Sequence, residues 1–142
     1  MSAEAFCVPR TFEPSAAVRF DVPQHYLVYA ASGRLRLSFE EQTWTLPPTR
    51  AALITASTPI DIELPQRVVA SSALFDPVWA PPPAAPLSVF EVTPLVRHLL
   101  LACRDYPSPD VALGEEGRAL FRALQVVAWK LARSPSRRSS WG

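Results

Sequence analysis

The chain is poor in the residues from which most small catalytic and metal sites are built. It has two histidines, two cysteines and one methionine in 142 residues. His25 and His98 stand far apart and form no His-x-His pair. Cys7 and Cys103 fit neither a disulfide scaffold nor a zinc site, so reduced thiols in a cytoplasm are the expected state. Only 4 glycines occur, and no Gly-x-Ser-x-Gly nucleophile elbow is among them. No run approaches the ~20 apolar residues of a membrane span. The opening MSAEAFCVPRTFEP carries Glu4 and Arg10 where a leader peptide would be apolar. A formal net charge of +1 supplies no bulk field toward nucleic acid or a membrane.

Proline, by contrast, is abundant. Its 16 residues are about twice the usual share and point to many strand ends, loops and helix starts. Apolar residues make up 49% of the chain and charged ones 19%, a composition that folds. The length suits one domain with its own core.

Short strands at regular spacing dominate residues 17–75. HYLVYAASGRLRLSF reads as a strand from His25 to Ala31, a break at Ser32-Gly33, and a second strand. There Leu35, Leu37 and Phe39 alternate with Arg34, Arg36 and Ser38, so one face is buried and one wet. Trp44 and Leu46 share a face before Pro47-Pro48 stops that strand. Ala51–Thr55, Ile60–Leu64 and Val68–Phe75 follow, and Asp61 and Glu63 share the polar face of their strand. The inward set predicted by this alternation is Leu35, Leu37, Phe39, Trp44, Leu46, Ile60, Ile62 and Leu64.

DPVWAPPPAAPL is a proline-stiffened connection to a last strand, Leu87–Val92. Thr93 then offers an N-cap and Pro94 a first helical residue. Leu95, Val96, Leu99, Ala102 and Cys103 recur at helical spacing, and DYPSPD ends that helix. A second helix over about 115–133 has an apolar stripe of Leu120, Phe121, Leu124, Val127, Ala128 and Leu131. Strands first and helices after them predict an α+β fold, a β-barrel with a helical pair appended. The expected layout is an N-terminal arm over 1–16, a barrel over about 17–92, helices over about 93–104 and 115–133, and a disordered basic tail over 134–142.

HYLVYAASGRLRLSFEEQTWTLPPTRAALI, TASTPIDIEL and VFEVTPLVRHLLLAC, taken in this order and spacing, resemble the N-terminal ligand-binding and dimerisation domain of AraC-type transcriptional regulators. That resemblance implies a cupin-like barrel, or double-stranded β-helix, followed by two packed helices. It covers roughly residues 20–132. Two departures stand out. In related domains one stretch often reads Ile-Pro-x-Gly-x-x-His, the second cupin box. Here the matching residues are Ile54, Thr55, Ala56, Ser57, Thr58, Pro59 and Ile60, so the proline, glycine and histidine are all replaced. The family also continues into two helix-turn-helix units, whereas this sequence ends at RRSSWG. A stand-alone or truncated sensor is therefore expected.

A catalytic cupin needs about three histidines and a carboxylate on one metal, and this chain has two imidazoles. No metal, no cofactor and no enzymatic activity are expected. The alternative is a small cupin enzyme, an isomerase or dioxygenase, which the shortage of histidine disfavours. A small-molecule effector would find His25, Tyr29, Arg36, Trp44 and Phe75 as candidate pocket residues, with Tyr26, Phe39 and Trp79 also weighed. A second, weaker helical stripe of Ala119, Ala123 and Val126 is the candidate dimer surface, either between two copies or with a related full-length regulator. Membrane contact and direct DNA contact are not expected of this chain.

Overall fold

The computed structural model describes residues 4–133. Two antiparallel sheets face one another. The first has five strands in the order β1 (Ala5–Phe12), β8 (Val68–Phe75), β3 (His25–Ser32), β6 (Arg50–Ile54), β9 (Leu87–Glu91). The second has four, in the order β2 (Ser15–Phe20), β7 (Ile60–Leu64), β4 (Leu35–Phe39), β5 (Gln42–Leu46). After β9 come α1 (Pro94–Ala102), one 3-10 turn over Cys103–Asp105, and α2 (Gly114–Arg133). The fold is α+β, a cupin-like barrel with two helices laid on its larger sheet.

The expected inward set lies inside the barrel. Leu35, Leu37, Leu46, Ile60, Ile62 and Leu64 are buried in one cluster, with Phe39 and Trp44 packed at its margin. The smaller sheet is wet on its outer side, which is why alternation revealed its register. The five-stranded sheet is different, because both of its faces are covered. Tyr26, Val28 and Ala30 of β3 point into the barrel, whereas Leu27 and Tyr29 pack under the helices with Phe75, Phe121 and Trp129.

Residues 5–12, expected to be part of an arm, form β1 at the edge of the larger sheet, paired along its whole length with β8. Ala5 and Cys7 are buried against the helices, and the backbone N–H of Cys7 donates to the Tyr106 carbonyl at 2.8 Å. Residues 134–142, the expected tail, lie outside the described residues.

Local signals acted as their chemistry predicts. Thr93 caps α1, its Oγ1 accepting from the Val96 N–H at 3.2 Å, with Pro94 as the first helical residue. Gly33 has φ +82°, and a Cβ there would stand 2.4 Å from the Arg67 carbonyl oxygen, so the break before β4 needs glycine. The helical stripes are rotated from the expected ones. In α1, Val96 and Leu100 are buried while Leu95 is 54% exposed. In α2 the buried set is Phe121, Leu124, Gln125, Ala128, Trp129 and Ala132, and Leu120, Val127 and Leu131 flank it half-buried.

The proline-rich connection is a strap held to α2. The Trp129 indole N–H donates to the Pro81 carbonyl at 2.8 Å. The Arg122 guanidinium lies 3.8 Å from the Trp79 ring centroid and donates to the Trp79 carbonyl at 3.2 Å.

Leu37 is wholly buried in the barrel. Leu37→Ala should cost about 2–5 kcal/mol in denaturant melts. A loss well under about 1 kcal/mol, the range of surface substitutions, would contradict this register.

Candidate functional site

The barrel is not filled to its mouth. A cavity of about 260 Å³ opens between β1 and β2 and is walled by Phe12, Phe20, Tyr26, Val28, Leu35, Ile62, Leu64 and Ala70. Arg10, Ser15 and Val18 stand at its rim. A smaller cavity of about 140 Å³ shares Arg10, Phe12, Phe20 and Tyr26 with it. Apolar walls with few polar groups are the usual composition of a small-molecule pocket.

Alternation within the strands positions these side chains. Tyr26 and Val28 on β3, Ile62 and Leu64 on β7, and Ala70 on β8 are all inward positions. The Tyr26 ring lies parallel to Phe20, with centroids 6.2 Å apart, and its hydroxyl receives a 3.3 Å hydrogen bond from the Ser72 Oγ. Burial raises the Tyr26 pKa, so the phenol stays protonated at neutral pH. The Arg10 guanidinium is 5.0 Å from the Phe12 ring centroid, and no ion pair to it occurs among the described residues.

The sequence-predicted pocket residues are not gathered here. His25, Tyr29 and Phe75 lie on the helix-facing side of the larger sheet. Phe75 is wedged edge-on between Phe121 and Trp129, at 6.0 and 5.2 Å. Arg36 points outward from the smaller sheet and pairs with Glu63 at 3.1 Å, the two side chains 43% and 41% exposed. Only Trp44 packs against the barrel interior. The correction is a matter of strand parity. Residues 25–30 are buried without exception, so no polar alternation marks which of Tyr26 and Tyr29 turns inward. Ala119, Ala123 and Val126 are exposed on the side of α2 away from the sheet.

The thiols are packing groups. Burial pushes Cys7 up to about 11 and Cys103 up to about 12, so both stay protonated and weakly nucleophilic. Among the described residues, no three His, Cys, Asp or Glu side chains are grouped as metal ligands.

No family model matches this sequence, and no curated protein does. Solved structures do match. The AraC-like transcriptional activator CuxR superposes with a TM-score of 0.69 at 10% identity, over 92% of this chain and 52% of CuxR. ToxT from Vibrio cholerae bound to an unsaturated fatty acid gives 0.66 at 6%, over 92% of this chain and 55% of ToxT. ToxT bound to (E)-4-(8-methylnaphthalen-1-yl)but-3-enoic acid also gives 0.66 at 6%, over 92% and 57%. The chain has the fold of an AraC-like N-terminal domain. It spans just over half the length of those proteins.

Within that fold the loop that the resemblance matches to the second cupin box makes a left-handed turn at Ser57. Ser57 stands where the resemblance places glycine, and its φ of +61° is the left-handed conformation that glycine favours. Ile60, where the histidine would stand, is buried among the barrel's apolar side chains. The loop is fastened from outside the barrel. The Ser57 N–H donates to the Val22 carbonyl at 2.7 Å, and the Ala56 N–H donates to His25 Nδ1 at 3.0 Å. His25 is therefore a neutral ring protonated at Nε2, set edge-on to Trp129 at 6.0 Å. The Ala80 carbonyl and the Asp76 carboxylate favour the charged ring, but neither completes a hydrogen bond to Nε2.

Burial depresses the His25 pKa below its ordinary 6.5. The neutral ring stabilises the fold above pH 6.5, and this contribution is lost as pH falls through the lowered value. Thermal melts should show stability decreasing from about pH 6.5 toward pH 5, above the range in which carboxylates protonate. His25→Gln should flatten that slope. An unchanged slope in this variant would mean that another group titrates.

Proposed function

We propose that this chain is the ligand-sensing module of an AraC-type regulator, binding a small effector in the barrel and transmitting its presence through the helices. The observation that carries this reading is the apolar cavity at the β1–β2 mouth, with the unpaired cation Arg10 on its rim. Such a site suits a molecule with an apolar body and an anionic end. The two ToxT ligands named above are both carboxylic acids of this kind, which supports the reading by analogy of fold. Binding, and not catalysis, is the role proposed, because the cavity walls offer no acid–base pair or nucleophile.

The module would act in the cytoplasm as a homodimer, or as a heterodimer with a related full-length regulator. Its partner surface would include Ala119, Ala123 and Val126. Val126 is 53% exposed, and Ala123 one turn before it is small enough to permit close helix approach.

Calorimetry with a naphthyl-substituted butenoic acid and its methyl ester tests the pocket. The acid should bind, and the ester should bind a few-fold to about tenfold less tightly, as expected for one partly exposed charge pair. Val18→Trp, at an exposed rim position, should block entry without disturbing the fold. Undiminished binding to the Val18→Trp variant, or no binding of either compound, would remove the barrel as the sensor site.

Light scattering tests the dimer. Ala123→Glu combined with Val126→Glu should give a folded monomer. A wild-type chain that is monomeric at roughly tens of micromolar, the scale of a modest self-affinity, would overturn the pairing.

A further inference from the structure

A second concavity lies on the opposite side of the larger sheet, between its open end and α1. It is a groove of about 350 Å³, within the usual size of small-molecule sites. One wall is formed by Arg97, Leu100 and Leu101 of α1 and by Arg104 of the 3-10 turn that follows it. The other wall is the sheet, with Tyr29 and Val69 facing the first.

Three features of this groove bear on what it could hold. Neither Arg97 nor Arg104 makes an ion pair among the described residues, since the four pairs found lie elsewhere. Leu101 and Val69 are 49% and 40% exposed, so the floor keeps apolar surface in water between the two cations. Tyr29 and Ser71 line the groove while only 7% and 8% exposed, and neither hydroxyl hydrogen-bonds to another described side chain or backbone group. Hydroxyls that lack a protein partner and reach solvent only through the groove are available to a polar group bound there.

We propose that this groove binds a small phosphate-bearing molecule whose apolar or aromatic body rests on Leu101 and Val69. Arg97 lies on α1 and Arg104 on the 3-10 turn that follows it, and both long side chains border the same groove, within reach of one dianion. A phosphate matches that arrangement, since each guanidinium fork can engage it through two donors. A single carboxylate would leave one arginine without a partner. Even with Arg10, which also lines the groove, three arginines are few for the counterion release on which nucleic-acid affinity depends, and a concave floor suits a small ligand better than a membrane surface. The groove and the proposed sensor cavity lie on opposite faces of β8, with Val69 and Ser71 on the helix side, and Ala70 between them borders both. Arg10, at the β1 edge, borders both spaces.

The test uses the full chain and phenyl phosphate as the probe, followed by calorimetry and amide NMR shifts. Binding is expected, with shifts concentrated at Thr11, Val69, Ser71 and residues 97–104, and benzyl alcohol should bind far less. Arg97→Gln combined with Arg104→Gln, both at exposed positions, should weaken binding about tenfold or more, the equivalent of one lost charged hydrogen bond. Val18→Trp should leave phenyl phosphate affinity unchanged, which keeps this site's fate separate from that of the barrel. No binding at millimolar probe would overturn the proposal. So would equal affinity in the double arginine variant, or loss of binding in Val18→Trp. Tighter, arginine-dependent capture of a single-stranded oligonucleotide or of phosphatidylserine vesicles would overturn it in favour of a macromolecular surface.

Discussion

The five-stranded sheet is buried on both faces, and most of the molecule's organisation follows from that constraint. One face closes the barrel, and the other carries α1 and α2. Each strand must therefore supply apolar side chains at successive positions, and each backbone polar group must be met by a neighbouring strand. The two cores touch only through the thickness of this sheet. Phe75 and Tyr29 are packed under the helices, while Ala70 and Val28 wall the cavity. Both helices therefore meet the barrel only across this sheet among the described residues.

Polar contacts around that sheet act mainly as fasteners. His25 holds the 55–58 loop by its Nδ1 while its ring rests on Trp129, so one side chain joins the barrel rim to α2. Trp129 and Arg122 in turn hold the proline-rich strap. The exposed ion pairs, Arg19–Asp61 and Arg36–Glu63, lie across neighbouring strands of the smaller sheet. Screened by water, such pairs contribute about 0–1 kcal/mol each. They favour strand register more than they add to stability.

The loop over residues 54–60 has a barrel-mouth turn with no metal-ligating side chain on it. Its backbone takes the left-handed turn at Ser57, and its side chains offer no ligand at Ile60. The barrel mouth holds apolar wall, the protonated phenol of Tyr26 and the guanidinium of Arg10 over the Phe12 ring.

Fold class, the inward register of the smaller sheet and the capped start of α1 were legible in the sequence. In each case one side of the element meets water, so composition alternates along it, or a cap must supply a specific oxygen. Site placement was not legible. Along HYLVYA every side chain is buried, and a period of two cannot be seen where both phases are apolar. Tyr29 and Tyr26 thus read alike, yet one lies beneath α1 and the other walls the cavity. The same limit hid β1, whose pairing with β8 depends on contacts some 60 residues distant, and it hid Trp129, which is buried through a strap that only the folded chain brings to it. Arg97 and Arg104 were visible only as charges on a helix. That they flank an apolar groove with two unpartnered hydroxyls was decided by how α1 lies against the end of the sheet. Local chemistry determines elements and their wet faces, while the burial of a second face is a property of the assembled layers.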